Sequence, residues 1–180
     1  MGLRGRTKLL DHQCFFVTTT CHDFLPLLEE EVCKQILYDS LAFVNKKYAC
    51  EIIAYVLMPN HIHFICYFTE KNFLIEYMRD FKKFTAYKIR THFIEKGESE
   101  IVQSIRYVHR KQKFKIWMDR FDDLYLFKGK TLLQKLKYIH DNPVRKELCT
   151  VPSHYKHSSA SFYHNGEVPL IPILHCSEII

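Results

Sequence analysis

Two histidines, His61 and His63, stand two residues apart in the otherwise apolar run LMPNHIHFICYF, Leu57 to Phe68. Side chains two apart on a strand leave the same face. The two imidazoles therefore share a side with Ile65 and Tyr67, while Ile62, Phe64, Cys66 and Phe68 take the other, core-like side. Neutral imidazole is a common metal ligand, and two rings side by side can hold one ion. A half-exposed strand that merely displays two polar rings fits the same spacing. Farther along, Tyr138 and Asn142 lie four apart in KTLLQKLKYIHDN, Lys130 to Asn142. On a helix that spacing stacks them on one face, a turn from each other. The Asn142 side-chain carbonyl is an acceptor able to complete a two-nitrogen, one-oxygen site, with the Tyr138 phenol beside it. The ordinary alternative makes Tyr138 a core-edge ring and Asn142 a cap before Pro143.

Residues so far apart need a fold to bring them together, and the composition supplies one. Of 180 residues, 47% are apolar and only five are Gly and six Pro, so the chain can build a sizeable, mostly regular core. Its length suits one domain over 1–180, with a core of about 14–150 and a loop-rich tail over 151–180. The seven cysteines form no CxxC pair and several sit in apolar runs, where a reduced thiol behaves as a small hydrophobe. That usage points to a reducing, cytoplasmic setting. The basic start MGLRGRTKLL lacks the apolar stretch of a signal peptide, and no run reaches bilayer length. A net charge of +6 favours an anionic partner.

The elements can be ordered from pattern. CFFVTTT, Cys14 to Thr20, reads as a strand, and Pro26 opens a helix with acids early and lysines late. Glu51–Met58 and His61–Phe68 are strands joined by the Pro59-Asn60 turn. Phe73, Tyr77, Phe81, Phe84 and Ile89 recur at helical spacing within Asn72–Phe93. IRYVHRKQKFKIWMDRFDDLYLF mixes strand-like residues with a basic cluster, and a helix over Lys130–Asn142 is expected to break at Pro143. The order β-α-β-β-α-β-α predicts an α+β, ferredoxin-like split βαβ. Its antiparallel sheet carries helices packed on one face and an added C-terminal helix.

MPNHIHFI (Met58–Ile65) and YIHDNPVRKEL (Tyr138–Leu148) together resemble the paired motifs of the IS200-like, Y1 or HUH, transposases, closest to the branch associated with repetitive extragenic palindromes. The likeness covers roughly Phe15 to Ser159 and includes FFVTTT, FKKFTAYKIR, KIWMDRFDD and YKHSSA. It implies a single-stranded DNA endonuclease and strand transferase. By that resemblance His61, His63 and Asn142 bind a divalent metal, Mg²⁺ or Mn²⁺, and Tyr138 is the nucleophile that forms a covalent 5′-phosphotyrosine. It further implies single-stranded DNA with hairpin ends as partner and a possible homodimer. A non-catalytic hairpin-binding relative is the rival reading.

Arg106, Arg110, Lys111, Lys113 and Lys115 form an acid-free basic cluster interleaved with Tyr107, Phe114 and Trp117. Basic chains can follow a phosphate backbone while exposed aromatics stack on unpaired bases. A solvated strand with its aromatics in the core is the competing view. Lys82 and Lys83 add charge on the second helix, and Arg4, Arg6 and Lys8 could form an arm on duplex DNA. His154, His157, His164 and His175 lack ligand spacing and are expected at the surface.

Overall fold

The structure, a computed structural model, describes residues 13–109 and 112–180. Strands β1 (Cys14–Thr20), β2 (Cys50–Met58), β3 (His61–Phe68) and β6 (Asp122–Tyr125) form one sheet in the order β2-β3-β1-β6. Every pairing in it is antiparallel. With β6 counted as fourth strand, this is the ferredoxin-like order the sequence predicts. Helices α1 (Glu31–Lys47) and α2 (Leu74–Lys96) make the crossovers, and α4 (Gly129–Arg145) is the added helix.

The alternation in β3 decides how the layers stack. Ile62, Phe64, Cys66 and Phe68 face one cluster with Leu37, Leu41 and Val44 of α1 and Tyr77, Met78 and Phe81 of α2. Ile65 belongs to the other cluster, with Phe16, Val56, Met58 and the α4 residues Leu132 and Ile139. The sheet is therefore covered on both faces: α1 and α2 on one, α4 on the other. A bulge between Ile52 and Ala54 interrupts the alternation of β2, so that the consecutive residues Ile53 and Ala54 both join the α4-side cluster.

Three findings depart from the sequence expectations or decide between them. The segment after α2 is not one strand: it gives the short helix α3 (Ser99–Ser104), a separate ribbon of β4 (Arg106–His109) and β5 (Gln112–Phe114), and the edge strand β6. Trp117, left open between an exposed stacking ring and a core ring, takes the core position: it is 4% exposed and donates its indole N–H to Thr85 Oγ1 at 2.9 Å. The tail has long loops and the short helix α5 (Ala160–Asn165), yet it is bound to the sheet. Leu57 N–H donates to His157 O, Ser159 N–H to Tyr55 O and Leu174 N–H to Ile52 O, so the tail satisfies the edge of β2. In doing so it buries His157, whose ring lies 2.9 Å from the Tyr38 hydroxyl and 3.0 Å from Glu31 Oε1. The surface position expected for that histidine is overturned by these contacts with α1. All seven cysteines are free, and among the described residues no helix is long and apolar enough to cross a membrane.

The indole anchor makes a quantitative statement about stability. Thr85→Val keeps the side-chain shape but leaves a buried donor without its acceptor, a loss of roughly 1–3 kcal/mol. Chemical denaturation should show this loss in Thr85→Val and little loss in Thr85→Ser. Equal stability of all three proteins would mean that the indole N–H does not depend on this bond.

Candidate metal and nucleophile site

His61 and His63 emerge on the α4 side of the sheet, with ring centroids 4.6 Å apart. Each ring is held through its Nδ1. Asn60 Oδ1 lies 2.6 Å from His61 Nδ1, and since a carbonyl can only accept, that ring nitrogen donates. Thr18 Oγ1, directly across the β1–β3 ladder, lies 2.7 Å from His63 Nδ1. With Nδ1 engaged in this way, Nε2 is the atom left to ligate, an arrangement typical of metal-bound histidines. Phe16 stacks on His63 at 5.5 Å and shields it. Burial drives both imidazole pKa values down. His61 falls to about 4, helped by the charge of Lys146, and His63 to about 3, helped by His61 and Lys135. Both rings are neutral near pH 7, the form that binds metal.

Helix α4 reaches this face because Leu132, Leu136, Ile139 and Pro143 line one side of it. It does not stop before Pro143 but runs to Arg145. Proline lacks the N–H that would bond four residues back, a loss tolerated here in the last turn. The same side carries Tyr138, whose ring centroid is 5.3 Å from that of His63 and 5.9 Å from that of Phe16. The charges of Lys135 and Lys146, towards the two ends of α4, oppose a proton on His63 and His61 respectively. Asn142 lies one turn beyond Tyr138 on the same helix.

Asn142 is 6% exposed, and its Oδ1 is buried without a hydrogen-bond partner among the described residues. A buried acceptor left unmatched costs about 1–3 kcal/mol. A cation shared with the two imidazoles would satisfy it, so the residues present fit a metal. Among the described residues no group of three or more His, Cys, Asp or Glu could hold an ion. Two nitrogens and one oxygen suit Mn²⁺ better than Mg²⁺, which prefers oxygen.

Cations flank the phenol. The Lys135 ammonium lies 4.6 Å from the Phe16 centroid and 5.4 Å from that of Tyr138, and the Arg145 guanidinium lies 5.4 Å from the Tyr138 ring on its own account. Arg145 is shared with Asp141 at 3.9 Å, whereas Lys135 has no ion pair among the described residues. His140, two positions beyond Tyr138, points elsewhere: its Nε2 meets Ser159 Oγ at 2.9 Å. Lys135, Arg145, Phe16 and Thr18 are partners that the motif reading did not name. Asn60 was legible in principle, since it immediately precedes His61.

The expected DNA-facing residues divide. Arg106, Lys113 and Lys83 are exposed. Lys82 is instead spent inside the protein, donating to Met118 O at 2.6 Å and Asp119 O at 3.1 Å. Its burial lowers its pKa to about 8. Lys115 is 8% exposed, bonds Asp119 Oδ2 at 3.0 Å and sits 4.5 Å over the Tyr107 ring. These two lysines fasten the loop before β6. Arg110 and Lys111, like Arg4, Arg6 and Lys8, lie outside the described residues.

Comparison with known proteins agrees with this architecture. In overall structure the chain is similar to a REP-associated tyrosine transposase solved bound to a REP hairpin, with a TM-score of 0.62 and 21% identity over 88% of this chain and 84% of that one. It is also similar to a putative transposase from Deinococcus radiodurans R1, with a TM-score of 0.50 and 16% identity over 72% of this chain and 90% of that one. At such identities the likeness is one of fold. No curated protein matches the chain. Residues 13–142, well over half of the sequence, with all of the first motif and the second as far as Asn142, match the family model for IS200-like transposases, and the chain belongs to that family.

Proposed function

We propose that this protein cuts and rejoins single-stranded DNA through Tyr138, with a divalent ion, Mn²⁺ or Mg²⁺, held by His61, His63 and Asn142. One observation carries the reading: the Tyr138 ring packs 5.3 Å from His63 on the face where Asn142 Oδ1 is buried and unmatched. When bound, the ion would offset charge on the scissile phosphate. The chain's own residues do the rest. The Tyr138 oxygen bonds to phosphorus as the bond from phosphorus to the 3′ oxygen breaks, leaving a 5′-phosphotyrosine and a free 3′-hydroxyl. The phenolic proton passes to solvent and the 3′ oxygen takes one up. Attack by a 3′-hydroxyl on the phosphotyrosine reverses the step and joins strands. Lys135, beside the phenol and without an ion pair among the described residues, is placed to receive a phosphate oxygen.

Family membership supports a transposase. The solved relative bound to a REP hairpin supports DNA with hairpin ends as the substrate to try first. Arg106, Lys113 and Lys83 are the exposed cations offered to its backbone.

A labelled hairpin-bearing single strand, incubated with Mn²⁺, should give a protein–DNA adduct that survives denaturation. The adduct should vanish with a chelator and in Tyr138→Phe. Binding without an adduct, equal in both proteins, would leave a DNA-binding relative with no cleavage. Lys135→Met should slow adduct formation by about tenfold or more, the effect of losing one charge-assisted contact of roughly 1.5–3 kcal/mol.

The third ligand can be tested without DNA. At a hundred times its dissociation constant, Mn²⁺ should raise wild-type stability by about 2.7 kcal/mol. Asn142→Leu should lose most of that gain. Its metal-free stability should stay level or rise by about 1 kcal/mol, because an unmatched acceptor is removed. An equal Mn²⁺ response in both proteins would show that Asn142 is not a ligand.

A further inference from the structure

Helix α2 carries two aromatic rings that its core packing does not explain. Its buried stripe is Leu74, Tyr77, Met78, Phe81, Thr85, Ile89 and Phe93. Phe84 and Tyr87 fall off that stripe and are 47% and 57% exposed. Single exposed apolar residues are ordinary. These rings are not single: each is matched to a cation. Lys88 Nζ lies 5.7 Å from the Phe84 centroid. The Arg90 guanidinium lies 5.3 Å from the Tyr87 ring and 5.5 Å from the Phe114 ring of β5, so it sits between helix and ribbon. Its Nε is buried with no hydrogen-bond partner among the described residues. Arg106 of β4 pairs in register with Phe114, which puts the two on one face of the ribbon, and Arg106 is exposed. The helix turn sequence KKFTAYKIRT, residues 82–91, contains no acid.

We infer that the outer face of α2, with the β4–β5 ribbon, is a stacking platform for unpaired bases of a single DNA strand. Phe84 and Tyr87 offer faces to the bases, and Lys88, Arg90 and Arg106 receive the phosphates. Ring faces bind any base, and guanidinium and ammonium groups beside them can receive phosphate oxygens. Charge complementarity selects a nucleic acid over an apolar partner surface: Lys88, Arg90 and Arg106 are cations, and residues 82–91 hold no acid. The platform lies on the α1–α2 side of the sheet, the opposite layer from His61, His63 and Tyr138. It would thus hold a stretch of strand remote from the cleavage point and set which flank reaches the nucleophile. The inference rests on the DNA partner of the reading above, not on its chemistry.

The test is binding of a fluorescent single strand containing 2-aminopurine, read in a Tyr138→Phe background so that no adduct contributes. The paired change Phe84→Ser and Tyr87→Ser, both at exposed positions, should weaken binding on the order of ten- to a hundredfold and abolish the quenching that reports stacking. Arg90→Met should lower the salt dependence by about one phosphate contact. Melting curves establish that each variant is folded. Unchanged affinity and quenching in the paired variant would overturn the platform while leaving the adduct experiment to judge Tyr138 separately. Equal affinity for a blunt duplex would also overturn it, as would wild-type self-association abolished by the paired change. Failure of the wild-type adduct, with ring-dependent binding retained, would sink the cleavage reading alone.

Discussion

Thr18 stands directly opposite His63 in the β1–β3 ladder, and its hydroxyl lies 2.7 Å from His63 Nδ1. That one cross-strand pair depends on the register of seven consecutive residue pairs, from Cys14 with Tyr67 to Thr20 with His61. A slip by one residue would turn every β3 side chain to the other face. Ile62, Phe64, Cys66 and Phe68 would then leave the α1–α2 core, and the two imidazoles would enter it. Apolar burial thus fixes the register, and the register fixes where the histidines stand. The core and the site are set by one alternation.

The cost of that arrangement is visible in the titrating groups. Two imidazoles are buried beside Phe16 and near Lys135 and Lys146, surroundings that disfavour a proton on either ring. Below the ordinary imidazole range of about 6.5 the unfolded chain binds more protons than the folded one. The penalty therefore grows as pH falls from there towards 4, and it is absent at neutral pH. The same cations that oppose protonation make the neighbourhood attractive to phosphate. Asn142 adds a second cost, an acceptor buried without a donor. Buried polar groups are nearly always matched, and this oxygen, a turn beyond Tyr138, is not.

Much of this was legible in the sequence, and the reasons are local. Strand β3 alternates cleanly, so its two faces and the shared side of His61 and His63 could be read from Leu57 to Phe68 alone. Tyr138 and Asn142 lie on a helix face set by Leu132, Leu136 and Ile139. What could not be read depends on distant partners. Lys82 and Lys115 carry no mark that separates them from Lys83 and Lys113. Their burial comes from backbone carbonyls at 118 and 119 and from the Asp119 carboxylate. Trp117 reads equally as a base-stacking ring or a core ring, and only Thr85 on α2, by offering its hydroxyl, decides for the core. His157 lies in a loop-like stretch, yet Tyr38 and Glu31 of the first helix enclose it. The orphaned oxygen of Asn142 has no sequence signature.

Tyr138 and the histidines come from elements far apart in the chain, so their separation is only as well defined as the seating of α4 on the sheet. Apolar contact supplies most of that seating but does not fix position along the sheet. Ser159 does. Its hydroxyl receives the Tyr55 N–H at 3.0 Å and meets His140 Nε2 at 2.9 Å, while its own N–H donates to Tyr55 O at 3.0 Å. One buried serine thereby joins β2 to α4 two residues beyond Tyr138. His140, the histidine nearest Tyr138 in sequence, is thus a fastening rather than a base. Its burial, which lowers its pKa to about 4, keeps the ring neutral and able to accept or donate one directed bond. The tail from Pro152 onward closes the edge of β2 and, through Ser159, holds the helix that carries Tyr138 at a fixed place over the histidine pair.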